Sequence, residues 1–167
     1  MFIGHTAVAF AAKKAAPRTS LGVLMGAVML LDLIWPVFLL LGIEHVRIHP
    51  GETSFSPLRF TDYPWTHSLV TTIGWSILAG LAYWAFTRYW RGALMVGLCV
   101  ASHWILDFVV HRPDLPLYPH GPKVGLGMWN SPIATVTVEW VMFAHQFFTN
   151  EDQKWLLNGG AFREWPF

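Results

Sequence analysis

The chain has 167 residues, a length typical of one domain, and 54% of them are hydrophobic while only 13% are charged. Soluble domains carry about 25% charged residues, so an ordinary soluble domain is a poor match to this composition. The net charge is +1 without a basic block, which argues against nucleic-acid binding, and Cys99 as the single cysteine excludes an internal disulfide.

Apolar segments follow one another along most of the chain. The first, 2–16, ends before Pro17 and is too short to cross a bilayer at about 1.5 Å per residue. Four longer segments approach the roughly 20 residues that a spanning helix needs: 21–43, 67–86, 92–110 and 131–148. Pro36 predicts a kink within the first of these. The sequence therefore predicts an all-α integral membrane bundle of four spanning helices plus a short N-terminal helix.

The amino end lacks the charged region that precedes the apolar run of a signal peptide, so we expect the apolar segments to remain in the protein. We predict a membrane-embedded domain over 1–148 and a polar C-terminal tail over 149–167.

Basic residues suggest how the spans are oriented. If the spans alternate, seven basic residues fall on one side: Lys13, Lys14, Arg18, Arg88, Arg91, Lys154 and Arg163. Four fall on the other: Arg47, Arg59, Arg112 and Lys123. The positive-inside rule assigns the larger group to the cytoplasm.

The stretch SHWILDFVVH carries His103, Asp107 and His111 at steps of four residues, which places them on one helix face. With the predicted orientation, polar residues of five helices reach a similar depth in the outer leaflet. The set is His5, Asp32, His67, His103, Asp107, His111 and Glu139. Agreement in depth across five helices predicts that these side chains converge.

Imidazoles and carboxylates without thiolates are the ligands of hydrolytic zinc, iron or manganese centres. A metal ion would also compensate the cost of a carboxylate at membrane depth. The alternative is a structural role, in which single residues bond neighbouring helices and His103 pairs with Asp107. We expect the loop histidines His45, His49 and His120, and also His145, not to be ligands.

Two connections on the predicted outer side are long, at 44–66 and after His111, and long ordered loops are usually functional. Their aromatic residues Tyr63, Trp65, Tyr118 and Trp129 suggest a lid or a lipid-facing rim. An ordinary interfacial aromatic belt is an equally good interpretation of Trp65 and Trp129.

Four motifs, MFIGHTAVAFAAKKAAPRTSLG, YPWTHSL, SHWILDFVVHRPDLPLYP and GLGMWNSPIATVTVE, resemble the membrane-bound metal-dependent hydrolases described as LexA-binding, inner-membrane-associated hydrolases. The resemblance covers about residues 1–148 and implies a reaction class without a substrate. Members usually continue with further hydrophobic segments, whereas the tail here is polar.

A more distant resemblance is to the zinc-dependent phospholipase C and S1/P1 nuclease group, which binds three zinc ions within a helical bundle. The seven candidate ligands follow that group's order. Two departures remove ligands: Thr135 stands where the group has His, and no N-terminal Trp ligand precedes His5. The resemblance therefore implies one or two divalent ions, with zinc first and iron or manganese as alternatives.

Together these features predict a hydrolase of the bacterial inner membrane, with its site in the outer-leaflet half. We expect metal-activated water to cleave a phosphoester, and an outer-leaflet site with an aromatic rim suggests a lipid or other amphiphile. The main ion site would comprise Asp32, His67, His103 and Asp107, completed by His5, His111 and Glu139 or with these holding a second ion. Asp32 or Asp107 would orient the water, and Asp114 is a candidate base or outer hydrogen-bond partner.

Two other functions fit the same residues. Intramembrane histidines and carboxylates also build proton or metal-ion pathways, although these need polar groups along the whole membrane normal. The other alternative is a membrane scaffold with a fully coordinated structural metal.

Overall fold

Seven α-helices make up most of residues 2–149, the part of the chain that our computed structural model describes. They are α1 (Phe2–Ala15), α2 (Leu21–Val28), α3 (Leu30–Leu40), α4 (Pro64–His67), α5 (Leu69–Thr87), α6 (Trp90–Val110) and α7 (Pro132–Thr149). A single 3₁₀ turn, Met128–Asn130, precedes α7. The predicted tail lies outside the described residues, except for Thr149.

The prediction of a purely α-helical chain is wrong in detail, because two small antiparallel sheets occur in the long connections. The first pairs β1 (His45–Ile48) with β2 (Leu58–Asp62), and the second pairs β3 (Leu115–Pro116) with β4 (Lys123–Val124). The first two strands are rich in β-branched and aromatic residues and flank a segment with Pro, Gly and Ser, a pattern typical of a β-hairpin. Periodicity over such short segments was too weak to indicate them.

Helices α5 and α6 are each long and apolar enough to cross a membrane, and α2 with α3 would add a third span if the bent pair counts as one. Four spans are not supported. Helix α7 forms where the sequence predicts it, but Glu139, His145 and Gln146 place three strongly polar side chains among its 18 residues.

The first predicted span is broken at Met29, where α2 and α3 meet at 50°. Pro36, where the sequence predicts a kink, lies inside α3, seven residues after this break. In a continuous helix the carbonyl of Val28 would accept the N–H of Asp32. Here the Val28 carbonyl lies 2.8 Å from His103 Nδ1, so the break coincides with a contact between α2 and α6.

Glycines allow α5 and α6 to pack closely. A Cβ on Gly80 would lie 3.0 Å from the carbonyl oxygen of Ala93, and one on Gly97 would lie 3.1 Å from that of Ser76. Residue numbers thus run in opposite directions along the contact, so the two helices are antiparallel. Small residues at such contacts are typical of membrane helix pairs.

Two hydrophobic clusters flank the middle of α6. The first joins α1, α2, α3 and α6 through Ala9, Ala12, Leu24, Ala27, Val28, Leu31, Val96, Cys99 and Val100. The second joins the β1–β2 hairpin to α6 through Phe60, Tyr63, Trp104 and Leu115. Val100 and Trp104 stand on either side of His103, so the first candidate ligand of α6 lies where the two clusters meet.

Candidate metal centre

Side chains from three helices and from the residue that follows α6 surround the carboxylate of Asp107. His5 comes from α1, His67 ends α4, His103 lies one turn before Asp107, and His111 follows α6. His5 Nε2 lies 3.3 Å from Asp107 Oδ1. The distances to Asp107 Oδ2 are 3.8 Å from His67 Nε2, 3.2 Å from His103 Nε2 and 4.0 Å from His111 Nε2. The structure therefore brings together residues that are separated by up to 106 positions in the sequence, counting from His5 to His111 (111 − 5).

Asp32, from α3, joins the same cluster. Its Oδ1 lies 3.4 Å from His67 Nε2 and 3.5 Å from His103 Nε2. Two groups of three potential ligands result, His5–His103–Asp107 and Asp32–His67–His103, with ligand atoms within 4.8 Å of one another. Because His103 belongs to both groups, the two candidate positions are adjacent.

These separations match those of ligands around one small ion. Bonds of about 2.1 Å at tetrahedral angles place neighbouring ligand atoms about 3.4 Å apart. The four shortest separations, from 3.2 to 3.5 Å, lie close to that value. The residues present therefore fit a zinc-sized divalent ion.

Burial makes the cluster costly without a cation. His5, His103 and Asp107 are at most 3% exposed, whereas the side chain of Asp32 is 36% exposed. Within residues 2–149, His5 Nδ1 and His103 Nε2 are buried without a hydrogen-bond partner. Unpaired buried polar atoms cost about 1–3 kcal/mol each, and coordination of an ion by His103 Nε2 would satisfy that atom.

The tautomer of His103 follows from the contact with Val28. A carbonyl oxygen only accepts, so His103 Nδ1 carries the proton and donates it to Val28 over 2.8 Å. The lone pair of Nε2 then faces Asp32 and Asp107. A lone pair directed at a carboxylate is repulsive unless a proton or a metal ion lies between them.

His111 is held in the same way. Its Nδ1 donates to Asp114 Oδ1 over 2.9 Å, and the Asp114 carboxylate also accepts hydrogen bonds from the Tyr63 hydroxyl and from Nε of Arg112. Of the two roles predicted for Asp114, this arrangement is that of an outer partner that orients a histidine. Burial raises the pKa of the Tyr63 hydroxyl well above its ordinary value, and the Asp114 carboxylate adds to the effect. Tyr63 is therefore a neutral hydrogen-bond donor.

His67 has a hydrogen-bonding chain behind it that the sequence did not indicate. Thr66 Oγ1 lies 2.7 Å from His67 Nδ1, and the same hydroxyl donates to Glu44 Oε2 over 2.6 Å. The only signal for Thr66 in the sequence is its place directly before His67. Glu44 gave no signal, because 22 residues separate it from Thr66.

Glu139 lies outside the two groups of three ligands found among residues 2–149. It is buried, and its Oε2 accepts the backbone N–H of Ile3 over 2.7 Å. This contact fixes the first turn of α1, two residues before His5.

Thr135, at the position where the phospholipase-like group has His, donates its hydroxyl to backbone carbonyls of Met128 and Ser131. None of His45, His49, His120 and His145 belongs to either group within the described part of the chain.

A cavity of about 460 Å³ opens onto the cluster. Asp32, His67, Asp107 and His111 line its floor, and its apolar lining is formed by Met29, Leu33, Trp35, Pro36, Phe55, Leu58, Phe60 and Trp129. Of the predicted rim residues, only Trp129 lies there, because Tyr63 is buried and Trp65 and Tyr118 are exposed elsewhere. The rim is built instead from α3 and the β1–β2 hairpin.

Comparisons of the chain with models of protein families, with curated proteins and with solved structures return no match.

Proposed function

We propose that the chain is a membrane-embedded, metal-dependent hydrolase of phosphoesters. The observation that carries the proposal is the convergence of buried imidazole lone pairs on Asp32 and Asp107 at separations expected of metal ligands. The resemblance of its motifs to membrane-bound metal-dependent hydrolases supports the same reaction class.

His103, whose single free lone pair on Nε2 can bind one ion, would hold a divalent ion either with His5 and Asp107 or with Asp32 and His67. A second ion would take the ligands that remain, with His111 beside Asp107. Zinc is the preferred ion, and iron or manganese would suit the same ligands. When bound, such an ion lowers the pKa of a water ligand towards neutrality and polarises a phosphoryl oxygen.

Asp32 is the carboxylate best placed to act on the substrate side. Its side chain is the most exposed of the cluster and lines the cavity, whereas Asp107 is almost completely buried. We assign Asp32 the orientation of the attacking water and Asp107 the charge that holds the histidines together. Asp114 acts on this site through His111.

The cavity favours an amphiphilic substrate. Its floor is polar and its walls are aliphatic and aromatic, so a phosphoester at the floor would place an apolar substituent against Trp35, Phe60 and Trp129.

The exposed apolar face of α5 supports placement of the chain in a lipid bilayer; it includes Val70, Ile73, Ile77, Leu78, Leu81 and Trp84. We place the site in the outer-leaflet half of the bacterial inner membrane.

The first test is the metal content of detergent-purified protein by elemental mass spectrometry. We expect one or two equivalents of zinc, iron or manganese in the natural chain and none in the double variant His103→Ala, Asp107→Ala. The matched control is Asp62→Ala, His145→Ala, which removes the same residue types outside the cluster and should keep the metal.

The second test compares hydrolysis of a phospholipid in mixed micelles with that of a soluble phosphodiester. Cleavage of the phospholipid that the double variant loses is the expected result. Efficient cleavage of the soluble ester alone would contradict the amphiphilic substrate. Absence of metal, even after reconstitution with divalent ions, would overturn the hydrolase and favour a proton pathway. Bound metal without hydrolysis of either substrate would favour a structural site.

A further inference from the structure

Glu44 and Thr66 form a buried chain behind His67 that the proposed reaction does not itself use. Both residues are at most 1% exposed, and Thr66 stands between the Glu44 carboxylate and the His67 ring at 2.6 and 2.7 Å. We infer that Glu44 and Thr66 are positioning residues that fix the tautomer of His67 and so keep its Nε2 free to bind the ion. The inference rests on the proposed metal site.

The direction of each hydrogen bond follows from the donors available. Glu44 Oε1 accepts the backbone N–H groups of Trp65 and Thr66 over 2.7 and 2.9 Å, and Oε2 accepts the Thr66 hydroxyl. Since the hydroxyl has a single proton, its oxygen accepts from His67 Nδ1. His67 Nε2 is then left without a proton and faces Asp32 at 3.4 Å and Asp107 at 3.8 Å.

Glu44→Gln should reverse the direction of the hydrogen bonds between residue 44, Thr66 and His67, while the side chain at position 44 keeps its size. The backbone N–H groups of Trp65 and Thr66 need an acceptor where Oε1 lies, and an amide nitrogen cannot accept. The glutamine therefore places its amide oxygen there. The amide N–H₂ then faces Thr66 and donates to it. The Thr66 hydroxyl in turn donates to His67 Nδ1, and the ring proton moves to Nε2, where it blocks metal binding.

Thr66 provides a variant that separates positioning from folding. Thr66→Val keeps the shape and the backbone contacts of Glu44 but breaks the link to His67, whereas Thr66→Ser restores the hydroxyl. Thr72→Val is the matched control, because Thr72 is equally buried and its hydroxyl has no hydrogen-bond partner within the described residues.

The experiment has two readouts. Nitrogen-15 NMR of histidine-labelled, metal-free protein, with the His67 signals assigned by their loss in His67→Asn, reports the tautomer directly. We expect protonated Nδ1 in the natural chain and protonated Nε2 in Glu44→Gln. Zinc affinity, measured by competition with a chelator, should fall roughly 10- to 100-fold in Glu44→Gln and Thr66→Val. It should stay within about threefold of the natural value in Thr66→Ser and Thr72→Val.

A proton on Nε2 in the natural, metal-free chain would overturn the inference, as would natural zinc affinity in Thr66→Val. Either result leaves the proposed hydrolase intact if the natural chain binds zinc. Failure of the natural chain to bind zinc would instead remove the proposed function. The tautomer measured without metal would still decide whether Glu44 and Thr66 set the His67 ring.

Discussion

Within the cluster, the burial of Asp107 distinguishes it from Asp32. Asp107 is 3% exposed and lies against the histidines of α1, α4 and α6. Asp32, in contrast, lines the cavity. Removal of one partner from a buried charged group costs more than removal of an exposed one, because the remaining charges lose their compensation. Under the proposed function, Asp107 therefore has the larger role in the stability of the candidate centre, and Asp32 the larger role towards a substrate.

Gly127 is a second residue whose identity matters, because its φ of +74° lies in the left-handed region. Its N–H donates to the His111 carbonyl, and the turn that follows holds the Trp129 ring 4.3 Å from the His111 ring. We expect Gly127→Ala to lower the free energy of unfolding by roughly 1–2 kcal/mol, the cost of a left-handed conformation in an L-residue.

Thermal unfolding in detergent, followed by tryptophan fluorescence, checks this expectation. Gly22→Ala is the control, since Gly22 lies in α2 with open space around its Cβ position. There alanine should leave stability unchanged or raise it slightly. Equal midpoints for Gly127→Ala and the natural chain would show that the turn adapts without strain.

Among the elements, the β1–β2 hairpin is tied to the end of α6 by Glu52. Its carboxylate accepts Nε of Arg59 at 2.9 and 3.0 Å, pairs with Arg112, and lies 3.2 Å from Nδ1 of His49. The hydrogen bond from Arg59, together with the charges of both arginines, holds the pKa of Glu52 below its ordinary value of 4.5. The contact between the hairpin and the end of α6 therefore depends on the ionised carboxylate of Glu52, which acid protonates.

The sign of the pH effect follows from that lowered pKa. Stability from Glu52 is complete above the unfolded-state value of 4.5 and is lost as the pH falls through the lower folded-state value. We expect hydrogen exchange in 45–62, corrected for its intrinsic pH dependence, to accelerate below about pH 4.5 in the natural chain. Glu52→Gln should exchange faster at neutral pH and lack this acid transition. The same acid transition in both proteins would assign it to another group.

At the scale of the whole molecule, the basic residues predict which end of the bundle faces the cytoplasm. His49 in the hairpin and Arg91 at the start of α6 are exposed and lie beyond opposite predicted membrane surfaces. His49→Cys should react in intact cells with a maleimide that does not cross the membrane, and Arg91→Cys only after cell lysis. The natural Cys99 is 1% exposed and provides a silent background. Labelling of Arg91→Cys in intact cells would reverse the orientation.

Local sequence determined the positions of the long helices and one wall of the candidate site. Apolar runs predicted α1, α5, α6 and α7 to within a few residues, because burial or lipid exposure of such runs requires the helix to satisfy its own backbone. The spacing of His103 and Asp107 placed both on one face of α6, since neighbours four apart in a helix share a face.

Only the tertiary structure decided how that wall is completed. The break at Met29, the β1–β2 hairpin and the Glu44–Thr66 chain depend on contacts between residues far apart in the chain, such as the bond from His103 to the carbonyl of Val28 across 75 positions. Sequence patterns report local periodicity, whereas the direction of a histidine lone pair depends on which acceptor lies behind the ring. The candidate ligand types could therefore be read from the sequence, but their tautomers and their spacing required the fold.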